Sequence, residues 1–345
     1  MNKQLLAAAV ATAMLSPVAA LADTSVQLYG RAHVTVDWLD DGADDGLNTS
    51  SNSSRLGFRA HHDLGNNLRA MMQIEQNIRF ENGAGNFASR DSFVGLQGDF
   101  GMVRLGHFDT PLKIVRGRTD FFGDQIGDAR NLTRLRDGYS GSDFDFDTRF
   151  RNGIHYRSPT LGGGLVFDLH YSTNTNAGTT VDNDNDALST SVTYRDGGLY
   201  LAAAYERKNE SKSDAIRLGA RYSFGDFDVA ALAQFATIKG STLGPDQDVN
   251  TFGIGGSYKV NAKTTVKAQF YMLDADGNER DANMIAVGLD YRIASPFRLL
   301  FAYARTNNDD NATYSMSRGG RDTQLATAAP GLNHSGLSIG FRYDF

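Results

Sequence analysis

Hydrophobic and polar residues alternate along most of this chain with a period of two. From Val26 to Trp38 one parity carries Val26, Leu28, Gly30, Ala32, Val34, Val36 and Trp38, and the other carries Gln27, Tyr29, Arg31, His33, Thr35 and Asp37. The alternation recurs at Leu68–Phe80, Leu165–Ser172, Ile216–Phe224, Val266–Met272 and Phe297–Tyr303, before a last segment at 334–345. Period two marks a strand whose two faces meet different surroundings, and runs above about ten residues suffice for a tilted strand to cross a bilayer. Short turn signals fall at 64–67, 99–101, 161–164, 196–198, 225–226, 261–263 and 294–296. Longer polar stretches fall between them, at 40–53, 82–89, 108–147, 173–186, 208–213, 239–249, 274–282 and 306–333. These connections separate about sixteen strands, at the ~20 residues per strand that a transmembrane barrel uses. The pattern predicts an all-β fold, an antiparallel barrel of about sixteen strands.

A soluble sandwich would also alternate, with its apolar face turned inward. Strand length, the short and long connections taking turns, and aromatic strand ends favour the barrel. Tyr222, Phe224, Tyr291, Phe297, Tyr343 and Phe345 sit near one set of ends, where an interfacial girdle belongs. The opposite parity is rich in Arg, Gln and Asp, which a water-filled lumen solvates. Met1 to Ala22 reads as a secretory signal peptide: Lys3 is the charged start, Leu5 to Leu15 the apolar stretch, and Ala20-Leu21-Ala22 the cleavage site. The remaining 23–345 is then one barrel domain, its formal charge of −7 differing from the −6 of all 345 residues only by Lys3. A mean hydropathy of −0.37 argues against a helical membrane protein, and the acidic balance against a nucleic-acid partner. With no cysteine there are no disulfides or thiolate sites.

Four segments carry a family resemblance. Val26-Gln27-Leu28-Tyr29-Gly30-Arg31 resembles the first strand of the Gram-negative general porins, and Ser54-Arg55-Leu56-Gly57-Phe58 resembles the second. Ser89 to Leu96 followed by Phe100 to Gly106 is similar to the hairpin before the family's third loop, and Gly336 to Phe345 to its last strand. The resemblance implies a homotrimer of sixteen-stranded barrels in the outer membrane of a Gram-negative bacterium. Each barrel would sit among lipid and lipopolysaccharide, with terminal Phe345 read by the barrel-assembly machinery. It implies a channel for passive diffusion of ions and small hydrophilic solutes, with no cofactor, no metal and no enzymatic activity. The third loop, 108–147 here, would fold inward as the constriction. Its Thr119-Asp120-Phe121-Phe122-Gly123-Asp124 is similar to the family's acidic tip, which puts Asp120 and Asp124 on the acidic side and Arg31, Arg55, Arg90 and Arg149 on the basic side. Arg31 and Arg55 lie on the polar parity of their strands. Arg149 shares parity with Arg151, Gly153, His155 and Arg157, while Arg90 shares it with Val94 and Leu96, so its side stays open. The tip departs from a fuller Pro-Glu-Phe-Gly-Gly-Asp form, which leaves the aligned acid open by a few residues.

Other motifs carry no chemistry in this setting. Gly336-Leu337-Ser338-Ile339-Gly340 has the spacing of a nucleophile elbow but lies within a strand with no helix after it. Asp182-Asn183-Asp184-Asn185-Asp186 starts like a calcium loop, yet Ala187 and Thr193 replace the Gly and Glu that such a loop needs. A weak divalent site in 182–186 stays open. Asp143, Asp145 and Asp147 read as a loop leading into a strand, and His61 and His62 point to opposite faces. Alternatives to the diffusion channel are a substrate-selective porin for sugar, phosphate or organic acid, and an adhesin built on the barrel. Tyr29, Tyr200 and Tyr271 are scattered candidates for a sugar-guiding aromatic track. Ion preference is not decided, since acidic net charge opposes the four arginines.

Overall fold

The computed structural model describes residues 24–85, 87–135, 145–176, 184–239, 246–325 and 329–345. The segment 1–22 read as a signal peptide, Asp143, Asp182 and Asn183 lie outside the described residues. Seventeen strand segments are present among those described. They begin with β1 (Thr24–Asp40), β2 (Asp45–Ser51), β3 (Arg55–Gly65), β4 (Leu68–Asn77), β5 (Ser92–Gly98) and β6 (Gly101–Asp109). After the third loop come β7 (Arg149–Arg157), β8 (Leu165–Ser172), β9 (Ala187–Asp196), β10 (Leu199–Lys208), β11 (Ser213–Phe224) and β12 (Phe227–Ile238). The series ends with β13 (Gln247–Lys259), β14 (Thr264–Ala275), β15 (Ala282–Ala294), β16 (Phe297–Asn308) and β17 (His334–Asp344).

Every segment pairs antiparallel with its neighbour, and β17 pairs back onto β1 over a continuous register from Arg31↔Asp344 to Asp40↔Ser335. The ring is closed. β2 pairs with the upper half of β1 and β3 with the lower half, so the two are one interrupted strand and the barrel has sixteen staves. The interruption at Asn52–Ser54 is filled by polar contacts: Asn52 N–H donates to the His33 carbonyl at 2.8 Å, and Asn52 Nδ2 donates to Thr35 Oγ1 at 2.9 Å. Much of the predicted 40–53 loop is therefore strand. Its Asp-Gly-Leu-Asn-Thr-Ser-Ser sequence has little strand preference, and the ladder offered by the long β1 overrides it. The seven short turns fall where the sequence places them.

Burial runs opposite to that of a water-soluble protein. Val26 is 68% exposed and Ile254 64%, while Arg217, Gln234, Glu206 and Thr251 on the inward parity are closed off. Apolar residues face out because lipid surrounds the ring, and polar residues face in because the lumen is wet. At the short-turn end the outward aromatics form stacks. Phe227 lies 5.5 Å from Phe224 and 4.6 Å from Tyr258, and Phe297, Phe341, Tyr343 and Phe345 form a second group. The seam is tied here too. Gly30 N–H donates to the Phe345 carbonyl at 2.9 Å, and Phe345 N–H donates back at 3.1 Å. The Phe345 ring then lies so close that a Cβ on Gly30 would meet it at 2.4 Å.

A charge on the lipid face has no partner, and its cost depends on depth. Leu218→Arg, at mid-strand in β11, should destabilise the barrel by about 2–4 kcal/mol, whereas Tyr222→Arg in the girdle should cost about 0–1 kcal/mol. Urea unfolding in lipid vesicles, followed by heat-modifiable gel mobility, measures both. Equal costs would mean that this face does not meet hydrocarbon.

Candidate functional site

The third loop enters the barrel as a helix, α1 (Pro111–Thr119). Thr110 caps it, its Oγ1 accepting from Lys113 N–H at 3.3 Å, and Pro111 suits the first turn, where no N–H partner is needed. Leu112 and Val115 are fully buried against the inward faces of β9 to β12. Gly219 on β11 makes room, since a Cβ there would sit 2.7 Å from Val115. The buried Arg217 fixes both ends of the loop. Its guanidinium donates to the Leu112 carbonyl at 3.0 Å and to Asp147 Oδ1 at 2.6 Å.

The loop tip separates the two acids that the sequence left equivalent. Asp120 is turned inward. Its carboxylate accepts from Phe122 N–H at 2.8 Å, Ala129 N–H at 3.2 Å, Arg116 Nη1 at 3.2 Å and Gln269 Nε2 at 3.1 Å. Gln269, on β14, also accepts from Phe121 N–H at 2.9 Å and donates to the Gly127 carbonyl at 2.8 Å, so one side chain holds the tip by three bonds. Asp124, with φ of 64°, instead faces the arginine wall. It accepts from Arg31 Nη1 at 3.2 Å and from Arg130 Nη2 at 2.6 Å.

Arg31, Arg55, Arg90 and Arg149 line one lumen cavity of about 370 Å³ together with Asp120 and Asp124. Acids on the wall hold the arginines. Arg31 donates to Asp344 at 2.8 Å, and Glu75 takes Arg90 at 2.5 Å and Arg55 at 3.8 Å while accepting from Tyr29 Oη at 3.0 Å. Arg149 reaches Asp91 at 2.6 Å and Asp109 at 3.1 Å. Arg149 lines the cavity, but the parity it was read to share with Gly153, His155 and Arg157 does not run unbroken along β7. Gly106 pairs with Gly153, but Phe108 pairs with Phe150 and Asp109 with Arg149, so a bulge at Arg151–Asn152 resets the phase. Arg90 lies just before β5, its N–H bonded to the Glu75 carbonyl, so strand parity does not govern it.

Sequence reading did not single out Glu75, Lys113, Lys267 or Arg342, whereas Arg116 and Arg130 could be named as loop partners for Asp120 and Asp124 and do pair with them. Glu75 and Lys267 were visible as polar-parity residues, while Lys113 had no signal of its own in the sequence. Among the described residues nine basic and four acidic side chains line this cavity. A second cavity of about 550 Å³ on the long-loop side shares Arg90, Lys113, Arg130 and Arg149 with it and adds Arg79, Arg134, Arg151, Arg318 and Arg321. Fixed opposed charges in a narrow, low-dielectric passage concentrate counter-ions and orient polar solutes.

Burial raises the Asp120 carboxyl to about 6, with neighbouring Asp128 pushing the same way against Arg116. Burial also acts on Asp124, but Arg130, Arg55, Arg31 and Arg90 outweigh it and hold that carboxyl well below the usual range. Burial and then Arg149 bring the Lys113 ammonium down to about 8 against the pull of Asp109.

The Gram-negative porin family profile matches residues 6–311. The chain is 30% identical to the outer membrane porin protein 32 of Delftia acidovorans, over the whole of both chains. It is 26% identical to a monosaccharide porin of Halomonas sp, with 84% of this chain and all of that one covered. Among solved structures, an anion-selective porin from Comamonas acidovorans superposes with a TM-score of 0.81 at 27% identity, covering 94% of this chain and 100% of that one.

Gln269→Leu keeps the size of the side chain and removes all three bonds to the tip. Leaving Phe121 N–H and the Gly127 carbonyl unsatisfied should cost about 1–3 kcal/mol each where no water reaches them, while Asp120 keeps its donors from Phe122, Ala129 and Arg116. The expected result is trypsin cleavage after Arg116 or Arg118 in an otherwise closed, heat-modifiable barrel. Full protection in the variant would remove Gln269 as the clasp.

Proposed function

The chain belongs to the Gram-negative porin family, and on that premise we propose that its outer-membrane channel passes small anions in preference to cations. The channel itself is a water-filled route for passive diffusion of small hydrophilic solutes. The observation that carries the preference is the excess of basic over acidic groups lining the cavity between loop and wall. Acids outnumber bases in the chain as a whole, but many sit at the long-loop ends, as at Asp40, Asp41, Asp44 and Asp45 or Asp274, Asp276 and Asp281. Fields at a waist depend on the nearest charges, because salt screens the distant exposed ones over about 8–10 Å. In this reading the 108–147 segment is the constriction loop, Arg31, Arg55, Arg90 and Arg149 form its basic side, Asp124 is the facing acid, and Asp120 holds the turn that presents it.

Three further parts belong to the same reading: 1–22 is a cleaved leader, the working unit is a homotrimer in lipid and lipopolysaccharide, and Phe345 is read during assembly. A sugar-selective channel is less favoured by the lumen. Tyr29, Tyr200 and Tyr271 stand on β1, β10 and β14, and Tyr271 is only 2% exposed, so they form no continuous track.

Reversal potential across a KCl gradient tests the preference. The expected sign is that of a chloride-preferring pore, and Arg55→Gln/Arg90→Gln should lower the chloride-to-potassium permeability ratio several-fold. A potassium-preferring sign in the unaltered protein would falsify the reading. The pH dependence has a definite direction. Asp120 becomes charged as pH rises through about 6, and Lys113 becomes neutral as pH rises through about 8, so both steps make the waist less positive. Chloride preference should therefore fall from pH 5 to pH 9, and Asp120→Asn should flatten the lower part of that curve. A preference that rises with pH would contradict both assignments. For stability the sign is the same: a carboxyl whose pKa folding raises is better tolerated protonated, so the loop should be held more firmly below pH 6.

A further inference from the structure

The short-turn side of the waist carries a second basic cluster that the selectivity reading does not use. Register makes Arg195, Tyr200 and Arg221 direct neighbours across β9, β10 and β11. The opposite parity of these strands holds Tyr194, Leu201 and Tyr222, of which Leu201 and Tyr222 are exposed to lipid, so the three face the lumen. They lie within four residues of the Gly197 and Gly225 turns, and hence toward the periplasmic mouth. The end of α1 descends to the same level, where Arg221 Nη1 donates to the Arg118 carbonyl at 2.9 Å. Arg221 also lies 4.9 Å over the Phe121 ring at the loop tip, which fixes its height.

The charges here are not balanced. Arg221 is paired with Asp228, and Arg157 lies 3.7 Å from Asp168, an acid already bonded to His155. Among the described residues no ion pair holds Arg118 or Arg195. Tyr200 gives an independent observation. It is only 7% exposed, Arg195 lies 5.1 Å over its ring, and among the described residues its hydroxyl has no hydrogen-bond partner. The Arg118 guanidinium lies within electrostatic reach of Arg195, Arg221 and Tyr200, and like charges gathered beside an unsatisfied O–H donor form an arrangement that oxygen acceptors carrying negative charge relieve.

We propose that Arg118, Arg195 and Arg221 with Tyr200 form an oxyanion-binding subsite on the periplasmic side of the waist, which takes the carboxylate or phosphate group of a solute that has passed Asp124. The proposal rests on the anion preference argued above and adds a resting place to it. Planar guanidiniums match the oxygens of such groups, and the Tyr200 hydroxyl donates to another oxygen of the same group. Chloride is a single centre and cannot take all these donors at once. The subsite therefore discriminates among anions, where the waist discriminates only by sign of charge.

The experiment is single-channel conductance in potassium phosphate and in KCl over the same range of activities. In the unaltered channel, phosphate current should saturate well before chloride current. Tyr200→Phe removes one donor to a charged group and should raise the half-saturating phosphate activity about tenfold. Arg118→Gln/Arg195→Gln should raise it further. Phosphate conductance that stays linear in the unaltered channel overturns the subsite, as does a half-saturation that Tyr200→Phe leaves in place. Should the double variant fail to close into a heat-modifiable barrel, the unaltered channel and Tyr200→Phe decide alone. The KCl reversal potential of the same channels keeps the two ideas apart. A potassium-preferring sign defeats the anion reading, whereas a chloride-preferring channel with linear phosphate conductance defeats only the subsite.

Discussion

Backbone N–H and C=O groups have no water to bond inside a bilayer, and this is the constraint on which the rest of the structure depends. A sheet meets it only by having no edge. The β1–β17 ladder and the paired bonds between Gly30 and Phe345 remove the edge, joining residues about 300 positions apart. Once the ring is closed, each strand has one face in lipid and one in the lumen, and the period-two pattern follows. The aromatic stacks at the short-turn end mark where hydrocarbon gives way to headgroups.

The lumen faces a different problem. A guanidinium away from bulk water is costly unless paired, yet a fully neutralised lumen would exert no field. The wall solves this by placing acids behind or beside the arginines: Glu75 behind Arg55 and Arg90, Asp91 and Asp109 beside Arg149, and Asp344 beside Arg31. The arginines are held in place but outnumber the acids that share the cavity surface. The loop uses the same device at its root, where Arg217 and Asp147 lock it against the wall with no exposure of either side chain.

Legibility followed the range of each interaction. Alternation and turn chemistry are local, so strand phase, the short turns and the lumen parity of Arg31 and Arg55 could be read from the residues. β2 could not, because its pairing with β1 is decided by the ladder and not by its own Asp, Gly and Ser content. Arg149 was read in a phase that one bulge resets. The difference between Asp120 and Asp124 depends on Gln269, nearly 150 residues further on, and no spacing near the tip encodes it. The clustering of Arg118 with Arg195 and Arg221 is hidden for the same reason.

Strict alternation has a consequence for how such a protein changes over generations. Each strand carries two interleaved messages, one read by lipid and the other by whatever passes through. A substitution at an inward position such as Arg195 leaves the outward row of Val192 and Tyr194 untouched, and the reverse also holds. Selection on uptake can thus rewrite one set of positions while selection on membrane residence preserves the other. Relatives with differing solute preferences can then share one barrel, and their overall sequence identity is a poor guide to what each admits.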